Sequence, residues 1–152
     1  MGLFLLIIII FITVLVMVRP NTRYKPSGKF KELTKNKFRH EVSSATNFQR
    51  PLITIIGPEI ENTVSKVVSA LLIIDPDKVN AIMVVVNNVQ VGYLSEEDTE
   101  KFLELLKDHH LSKFTGLEVK ALIYGDWGND HEISNFKVRL NLPKNLEDSE
   151  IQ

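Results

Sequence analysis

The sequence predicts a β-rich α+β fold, a small barrel or strongly bent sheet with one packed helix, preceded by a transmembrane helix. Two observations predict the globular part: short β-branched runs follow one another with turn residues between them, and one segment has apolar residues at helical spacing. Strands that are not separated by helices disfavour a parallel α/β sheet. A third observation predicts the membrane helix, because residues 3–18 are apolar except for Thr13.

Residues 1–18 are predicted to be a transmembrane anchor. A helix over residues 2–18 has a length of roughly 26 Å, at the short end of what crosses a bilayer. A cleaved signal peptide is disfavoured because no basic residue precedes the apolar run and no small residues mark a cleavage site. Leu6 stands where N-myristoylation needs Ser or Thr. A soluble helix without a polar face would have to be buried on all sides.

Residues 19–50 are predicted to be a basic juxtamembrane tether, mostly irregular, in which residues 29–38 could form a short helix. The tether has nine Lys and Arg against two acidic residues, a net charge of +7, whereas residues 51–152 have nine against 17, a net charge of −8. Positive charge after the apolar run places the globular domain on the cytoplasmic side. The tether also attracts anionic lipid, so the lipid bilayer is a predicted partner, and nucleic acid is possible on charge alone. The predicted membrane-surface residues are Arg19, Arg23, Lys25, Lys29 and Lys31.

Residues 51–143 are predicted to form the globular domain, and residues 144–152 an acidic tail. Asn87-Asn88 predicts a tight hairpin, because Asn tolerates the positive φ of such turns. Ser95 followed by three acidic residues predicts the start of a helix that ends near residue 109. Apolar runs bounded by turn residues predict strands over residues 52–56, 67–74, 81–86, 89–94, 117–124 and 135–142.

The sequence offers no evident catalytic or metal-binding constellation. It has no cysteine, which removes thiolate ligands and cysteine nucleophiles, and it has no Gly-rich phosphate loop. His109 and His110 are adjacent, so on a helix they point in different directions. His131 lies in a polar loop. We therefore predict a protein that is not an enzyme and has no metal, no cofactor and no small-molecule substrate.

Several short motifs resemble the HIRAN domain family. Residues 80–82 (NAI) and 91–95 (VGYLS) are similar to the family's core hairpin "NAV/NAI … VGY/HL", which a helix follows directly. Residues 125–127 (GDW) and 136–143 (FKVRLNLP) are similar to the ending "GW … FGVRLDLP" of small bacterial HIRAN-like proteins. The resemblance covers about residues 52–143, and each motif is short and partly hydrophobic.

This resemblance implies a modified OB-like or SH3-like β-barrel and, in some family members, binding of single-stranded DNA ends. Tyr93 keeps the position of the hairpin His or Tyr. The loop at residues 75–81 is shorter than the family's "DPxNPYDxNA" and lacks its Tyr-Asp pair. Residues 58–60 are Pro-Glu-Ile where DNA-binding members have Arg and aromatic residues, and residues 95–97 are Ser-Glu-Glu where they have Lys. An acidic domain repels phosphate, so these departures disfavour DNA.

Three hypotheses for the function follow. The first is a non-catalytic, membrane-tethered module that engages a protein or peptide partner through the candidate ligand-binding residues Tyr93, Trp127, Arg139 and Asn80. The second is a tethered binder of single-stranded nucleic acid, in which the tether supplies charge and the aromatic residues stack on bases. The third is an accessory subunit whose anchor packs against partner helices. Trp127 could instead be a core or rim aromatic, and Arg139 a solvent-facing strand residue paired with an acid.

Overall fold

The structure is a computed structural model that describes Tyr24 and residues 26–113, 115–128 and 134–152. The predicted anchor over residues 1–18 lies outside the described residues, as do Arg19, Arg23, Lys25 and His131. Within the described part of the chain, no helix is both long and apolar enough to span a bilayer.

A single curled sheet dominates the described residues. Its strands are β1 (Gly28–Lys29), β2 (His40–Glu41), β3 (Thr63–Ile74), β4 (Ile82–Val86), β5 (Val89–Tyr93), β6 (Leu117–Asp126) and β7 (Asn135–Leu140). The α-helices are α1 (Gln49–Ile56) and α2 (Glu96–Asp108), and Ala45–Phe48 and Leu146–Asp148 form short 3-10 turns. The prediction of a β-rich fold with a bent antiparallel sheet and a packed helix is confirmed.

The strand order is β2-β7-β6-β3-β4-β5, and all these neighbours are antiparallel. β1 pairs in parallel with the start of β6. The predicted hairpin joins β4 to β5 through Asn87 and Asn88, whose φ angles of 51° and 62° are the positive values that favour Asn. The longest ladder joins β3 to β6 and forms the centre of the sheet.

The curl of the sheet brings its two outer strands together into a half-barrel. Ser43, which follows β2, exchanges two backbone hydrogen bonds with Tyr93 at the end of β5. Gly92 makes this approach possible: a Cβ there would lie 2.4 Å from Val42 Cγ1 and 2.7 Å from the Ser43 carbonyl oxygen. Its φ of 156° is also a conformation that residues with a side chain rarely adopt.

The core lies between the inner face of the sheet and α2. Along β6 and β7, buried apolar residues alternate with more exposed ones, as a sheet with one covered face requires. Phe102 on α2 and Phe136 on β7 are fully buried in this core. The helix starts where predicted, because the Ser95 hydroxyl accepts a hydrogen bond from the Asp98 backbone N–H at 3.1 Å.

The strand predicted over residues 52–56 is wrong, because this segment belongs to α1. Leu52 and Ile55 are buried three residues apart, so packing of one helical face against the core overrides the β propensity of the run. Pro51 is tolerated because it lies in the first turn, where backbone N–H groups have no helical partner. Gly57, with a φ of 92°, ends the helix.

The folded unit also extends beyond the predicted boundaries at residues 51 and 143. Phe30 and Val42, in the segment predicted as an irregular tether, are buried in the core, and residues 29–38 form no helix. The predicted acidic tail buries Leu146. Lys29 and Gln152 exchange backbone hydrogen bonds of 2.9 and 3.0 Å. No local pattern predicts these pairings, because they join segments that are far apart in the sequence.

Candidate functional site

Tyr93 stands at the end of β5 with its ring contacted from several sides. Its hydroxyl donates a hydrogen bond to Asp75 Oδ2 at 3.0 Å. The Nζ atom of Lys78 lies 4.6 Å from the ring centroid, and Phe48 meets the ring edge-on with centroids 6.2 Å apart. Cation–π and edge-to-face contacts each contribute roughly 0.5–1 kcal/mol. The protein itself therefore fixes the orientation of the ring.

Tyr93 forms one wall of an open groove of about 780 Å³ between the β3–β4 loop and the start of α2, here called the Tyr93 groove. This volume lies within the ~300–1,000 Å³ that is typical of ligand sites. Val79 also lines the groove and is 89% exposed, so it presents an apolar side chain to solvent. Other lining residues are Ser44, Lys78, Asn80, Glu96, Glu100 and Leu103.

Asn80 and Tyr93, two of the four candidate ligand-binding residues, both line this groove. Asn80 has a φ of 52°, a left-handed conformation that Asn tolerates. The Asp75 carboxylate holds the loop, because it accepts the Tyr93 hydroxyl hydrogen bond and a second one from the Asp77 backbone N–H at 2.9 Å. The Asp75 backbone N–H donates to the Ala81 carbonyl oxygen at 2.8 Å, which closes the loop at its base.

The rim of the Tyr93 groove is acidic. Glu96 and Glu100 lie one turn apart on α2, both are exposed, and neither is ion-paired with another described residue. The only lysine that lines the groove in the described residues, Lys78, already contacts the Tyr93 ring. Unpaired carboxylates attract Lys and Arg side chains and repel phosphate groups.

Trp127 and Arg139 lie away from this groove. Trp127 packs edge-on against Phe136, with ring centroids 5.1 Å apart. The guanidinium of Arg139 lies 4.8 Å from the Tyr124 ring centroid and 3.6 Å from the Glu41 carboxylate. Neither residue lines the Tyr93 groove. In the described structure both side chains therefore make structural contacts, as the alternative interpretation of each residue expected.

Two of the predicted membrane-surface residues are partly neutralised. Lys29 lies 3.4 Å from the Glu32 carboxylate, and Lys31 lies 2.6 Å from the Glu150 carboxylate. Both pairs are exposed, so each contributes little to stability. Their positive charges are nonetheless less available to an anionic surface than those of unpaired lysines.

A half-buried histidine joins three segments beside the site. His40 Nδ1 lies 3.0 Å from both carboxylate oxygens of Asp98, and Nε2 lies 2.7 Å from the Pro143 carbonyl oxygen. Both ring nitrogens face acceptors, so the protonated ring can donate two hydrogen bonds. The Asp98 hydrogen bond raises the pKa of His40 against the opposing effect of burial. The His40 hydrogen bond in turn lowers the pKa of Asp98.

Sequence reasoning selects Tyr93 and Asn80 as candidates because both belong to a hairpin motif with local signals. It missed Lys78 and Glu100 as groove residues, and it missed the pairing of His40 with Asp98, which joins residues 58 positions apart. A comparison of the chain with protein-family models, curated proteins and solved structures gives no match.

Proposed function

We propose that this chain is a non-catalytic binding module that engages a protein or peptide partner through the Tyr93 groove. The proposal includes a cytoplasmic location and a membrane anchor formed by residues 1–18. The observation that carries the proposal is an open groove with an oriented aromatic ring on one wall and two unpaired carboxylates on its rim. Such a groove offers an apolar contact, a ring face and negative charge, but no assembled catalytic group.

The finer fold in this proposal is an OB-like or SH3-like barrel of the HIRAN type. It is supported by the curl of the sheet, which brings Ser43 into hydrogen bonding with Tyr93 on the outermost strand. A second support is the direct passage from the VGYL strand into α2, the arrangement that the resembling hairpin has. In such barrels the ligand surface is built from strand ends and loops, which is where the Tyr93 groove lies.

The charge of the groove defines the chemistry of the partner. We expect an extended segment with a Lys or Arg side chain that reaches Glu96 and Glu100, and with an apolar residue beside Val79 or Leu103. Single-stranded nucleic acid fits less well, because the same carboxylates would face its phosphates. Stacking on Tyr93 would contribute about 1–3 kcal/mol per base, and the repulsion between the carboxylates and the phosphates would oppose this gain.

The test is a selection of random peptides on the full chain held in lipid nanodiscs, followed by fluorescence anisotropy with a selected peptide. We expect selected peptides to be enriched in Lys and Arg, and their affinity to fall about tenfold or more in Tyr93→Ala and in Glu100→Lys. Glu104→Lys is the matched control, because Glu104 is exposed on the same helix and does not line the groove. This control should leave the affinity nearly unchanged at moderate salt.

Two results would contradict the proposed function. Peptides that bind equally well to all three variants would place the binding surface elsewhere. Binding of oligothymidylate that Tyr93→Ala weakens, without any peptide enrichment, would assign the groove to single-stranded nucleic acid instead.

A further inference from the structure

A second groove, of about 360 Å³, has the opposite charge. Among the residues that the structure describes, its lining includes four cations and no acidic residue, and it shares no residue with the Tyr93 groove. We call it the basic groove. Its cationic residues are Lys35, Lys37, Arg39 and Lys144, and its other lining residues are Leu33, Thr34, Leu142 and Pro143.

The four cations of the basic groove are all exposed, and none forms an ion pair with another described residue. Several lysines elsewhere in the described residues are ion-paired, as Lys29 is with Glu32 and Lys101 with Glu97. This concentration of positive charge stands out, because residues 26–152 have 15 Lys and Arg against 19 acidic residues, a net charge of −4. Like charges around one groove repel one another, and a bound anion relieves that repulsion.

The backbone that bears these cations is held in place by specific hydrogen bonds. The Lys37 backbone N–H donates to Asn141 Oδ1 at 2.9 Å, and Asn141 Nδ2 donates to Asn36 Oδ1 at 2.8 Å. On the other side, the Pro143 carbonyl oxygen lies 2.7 Å from His40 Nε2. The two segments that line the groove are therefore tied together, so the spacing of the cations is set by the fold.

We propose that the basic groove docks on the phosphate-bearing headgroups of an anionic membrane. Lys and Arg are the side chains that bind phosphate most strongly, and each one close to an anionic leaflet changes the partition coefficient by roughly fivefold. This inference rests on the proposed function, because the proposed anchor is what brings the basic groove to the membrane. Residues 19–25 follow the apolar run and span at most about 25 Å when extended, which keeps the domain close to the bilayer.

The lining favours a lipid surface over nucleic acid. Proteins that bind along a single strand combine a basic track with aromatic residues on which bases stack. In the described part of the chain, no aromatic residue lines the basic groove. The groove is also small, at about 360 Å³, for a strand of several nucleotides. The basic groove therefore has the chemistry of a cationic surface that contacts an anionic membrane.

The test uses energy transfer from the full chain to acceptor lipids. The sequence has no cysteine, so Asn145→Cys, at an exposed position next to Lys144 that does not line the basic groove, gives a unique labelling site. With the chain inserted in phosphatidylcholine vesicles, addition of phosphatidylserine should increase the energy-transfer efficiency. Raising the salt concentration from about 0.1 M to about 1 M should reverse this increase, because the screening length falls from ~10 to ~3 Å. The quadruple Gln variant of Lys35, Lys37, Arg39 and Lys144 should lower the ratio of docked to undocked domain several hundredfold.

A second quadruple variant provides the matched control. It replaces with Gln four lysines that neither line the basic groove nor belong to the predicted membrane-surface residues, and it removes the same four positive charges: Lys101, Lys107, Lys120 and Lys137. This control should keep most of the response to phosphatidylserine. Circular dichroism checks that both variants remain folded.

Four results would overturn the proposal. The response to phosphatidylserine could be absent in the inserted wild-type chain. It could also fall equally in both quadruple variants, which would mean that net charge alone explains the response. Oligothymidylate could bind through the same four cations while lipid composition has no effect, which would make the groove a nucleic-acid site. Failure of insertion itself would remove the anchor and the proposal with it, whereas peptide binding at the Tyr93 groove can still be measured on the full chain in detergent micelles.

Discussion

Replacement of His40 with Gln is expected to destabilise the folded domain in a pH-dependent way. His40 connects the start of β2 to Asp98 on α2 and to the Pro143 carbonyl beyond β7, so one side chain links three segments that are distant in sequence. The side chains of His40 and Asp98 are only 11% and 12% exposed. Solvent therefore compensates little when this pair is broken.

The magnitude follows from the hydrogen bonds that are lost. A hydrogen bond to a charged group contributes about 1.5–3 kcal/mol, and Asp98 would be left nearly buried without its His40 partner. Gln can replace one of the two hydrogen bonds of His40 but not its charge. We therefore expect a loss of about 2 kcal/mol, which lowers the Tm of a domain of this size by on the order of 5–10 °C.

The pH dependence follows from the direction of both pKa shifts. The folded pKa of His40 is raised, so its contribution is fully present below the unfolded pKa of about 6.5 and falls as pH rises through the folded pKa. The folded pKa of Asp98 is lowered, so its contribution is present above the unfolded value of 3.8 and falls as pH drops through the folded pKa. The difference in Tm between wild type and His40→Gln should thus be largest between about pH 4 and 6.5.

Thermal unfolding of the full chain, followed by the fluorescence of Trp127, measures this difference. Trp127 is the only tryptophan in the sequence, and it packs against Phe136 in the core, so its signal reports on the folded domain. His109→Gln is the control, because His109 is exposed at the end of α2. The reasoning is refuted if the Tm difference is the same near pH 5 and near pH 9, or if the control loses as much stability.

Other variants test the remaining contacts. Gly92→Ala should cost about 1–3 kcal/mol through overpacking, since its Cβ would lie 2.4 Å from Val42, and chemical denaturation measures the loss. Tyr93→Phe should cost about 0.5–1.5 kcal/mol by removing the hydrogen bond to Asp75, also seen in denaturation. Arg139→Gln should change stability by less than about 1 kcal/mol, because its pair with Glu41 is exposed. Deletion of residues 1–18 should move the chain from the membrane to the soluble fraction in carbonate extraction.

The elements that could be predicted from the sequence are those with local signals. The β4–β5 hairpin depends on Asn87 and Asn88, and α2 depends on the Ser95 cap, so each is specified within a few residues. Tyr93 and Asn80 lie next to these signals, and for this reason the sequence selects them as candidates; the structure places both in one groove.

The elements that could not be predicted depend on distant partners. Residues 52–56 have the composition of a strand, yet α1 forms because Leu52 and Ile55 pack on the core. The side chain of Gln49 stabilises the helix start, since Nε2 donates to the Phe136 carbonyl oxygen and Oε1 accepts from the Phe136 backbone N–H, both at 2.9 Å. The Gln49 side chain thus makes the hydrogen bonds with β7 that a neighbouring strand would make, and no local sequence pattern predicts them.

The start of α2 separates two surfaces of opposite charge. Glu96 and Glu100 line the Tyr93 groove. Asp98, between them in sequence, faces His40 instead. His40 follows Arg39 and contacts the Pro143 carbonyl oxygen, and both Arg39 and Pro143 line the basic groove. A basic partner would be repelled from the basic groove and attracted to the Tyr93 groove, and an anionic membrane would have the opposite preference. The two proposed ligands therefore do not compete for one surface, so a domain of this size could bind both at once.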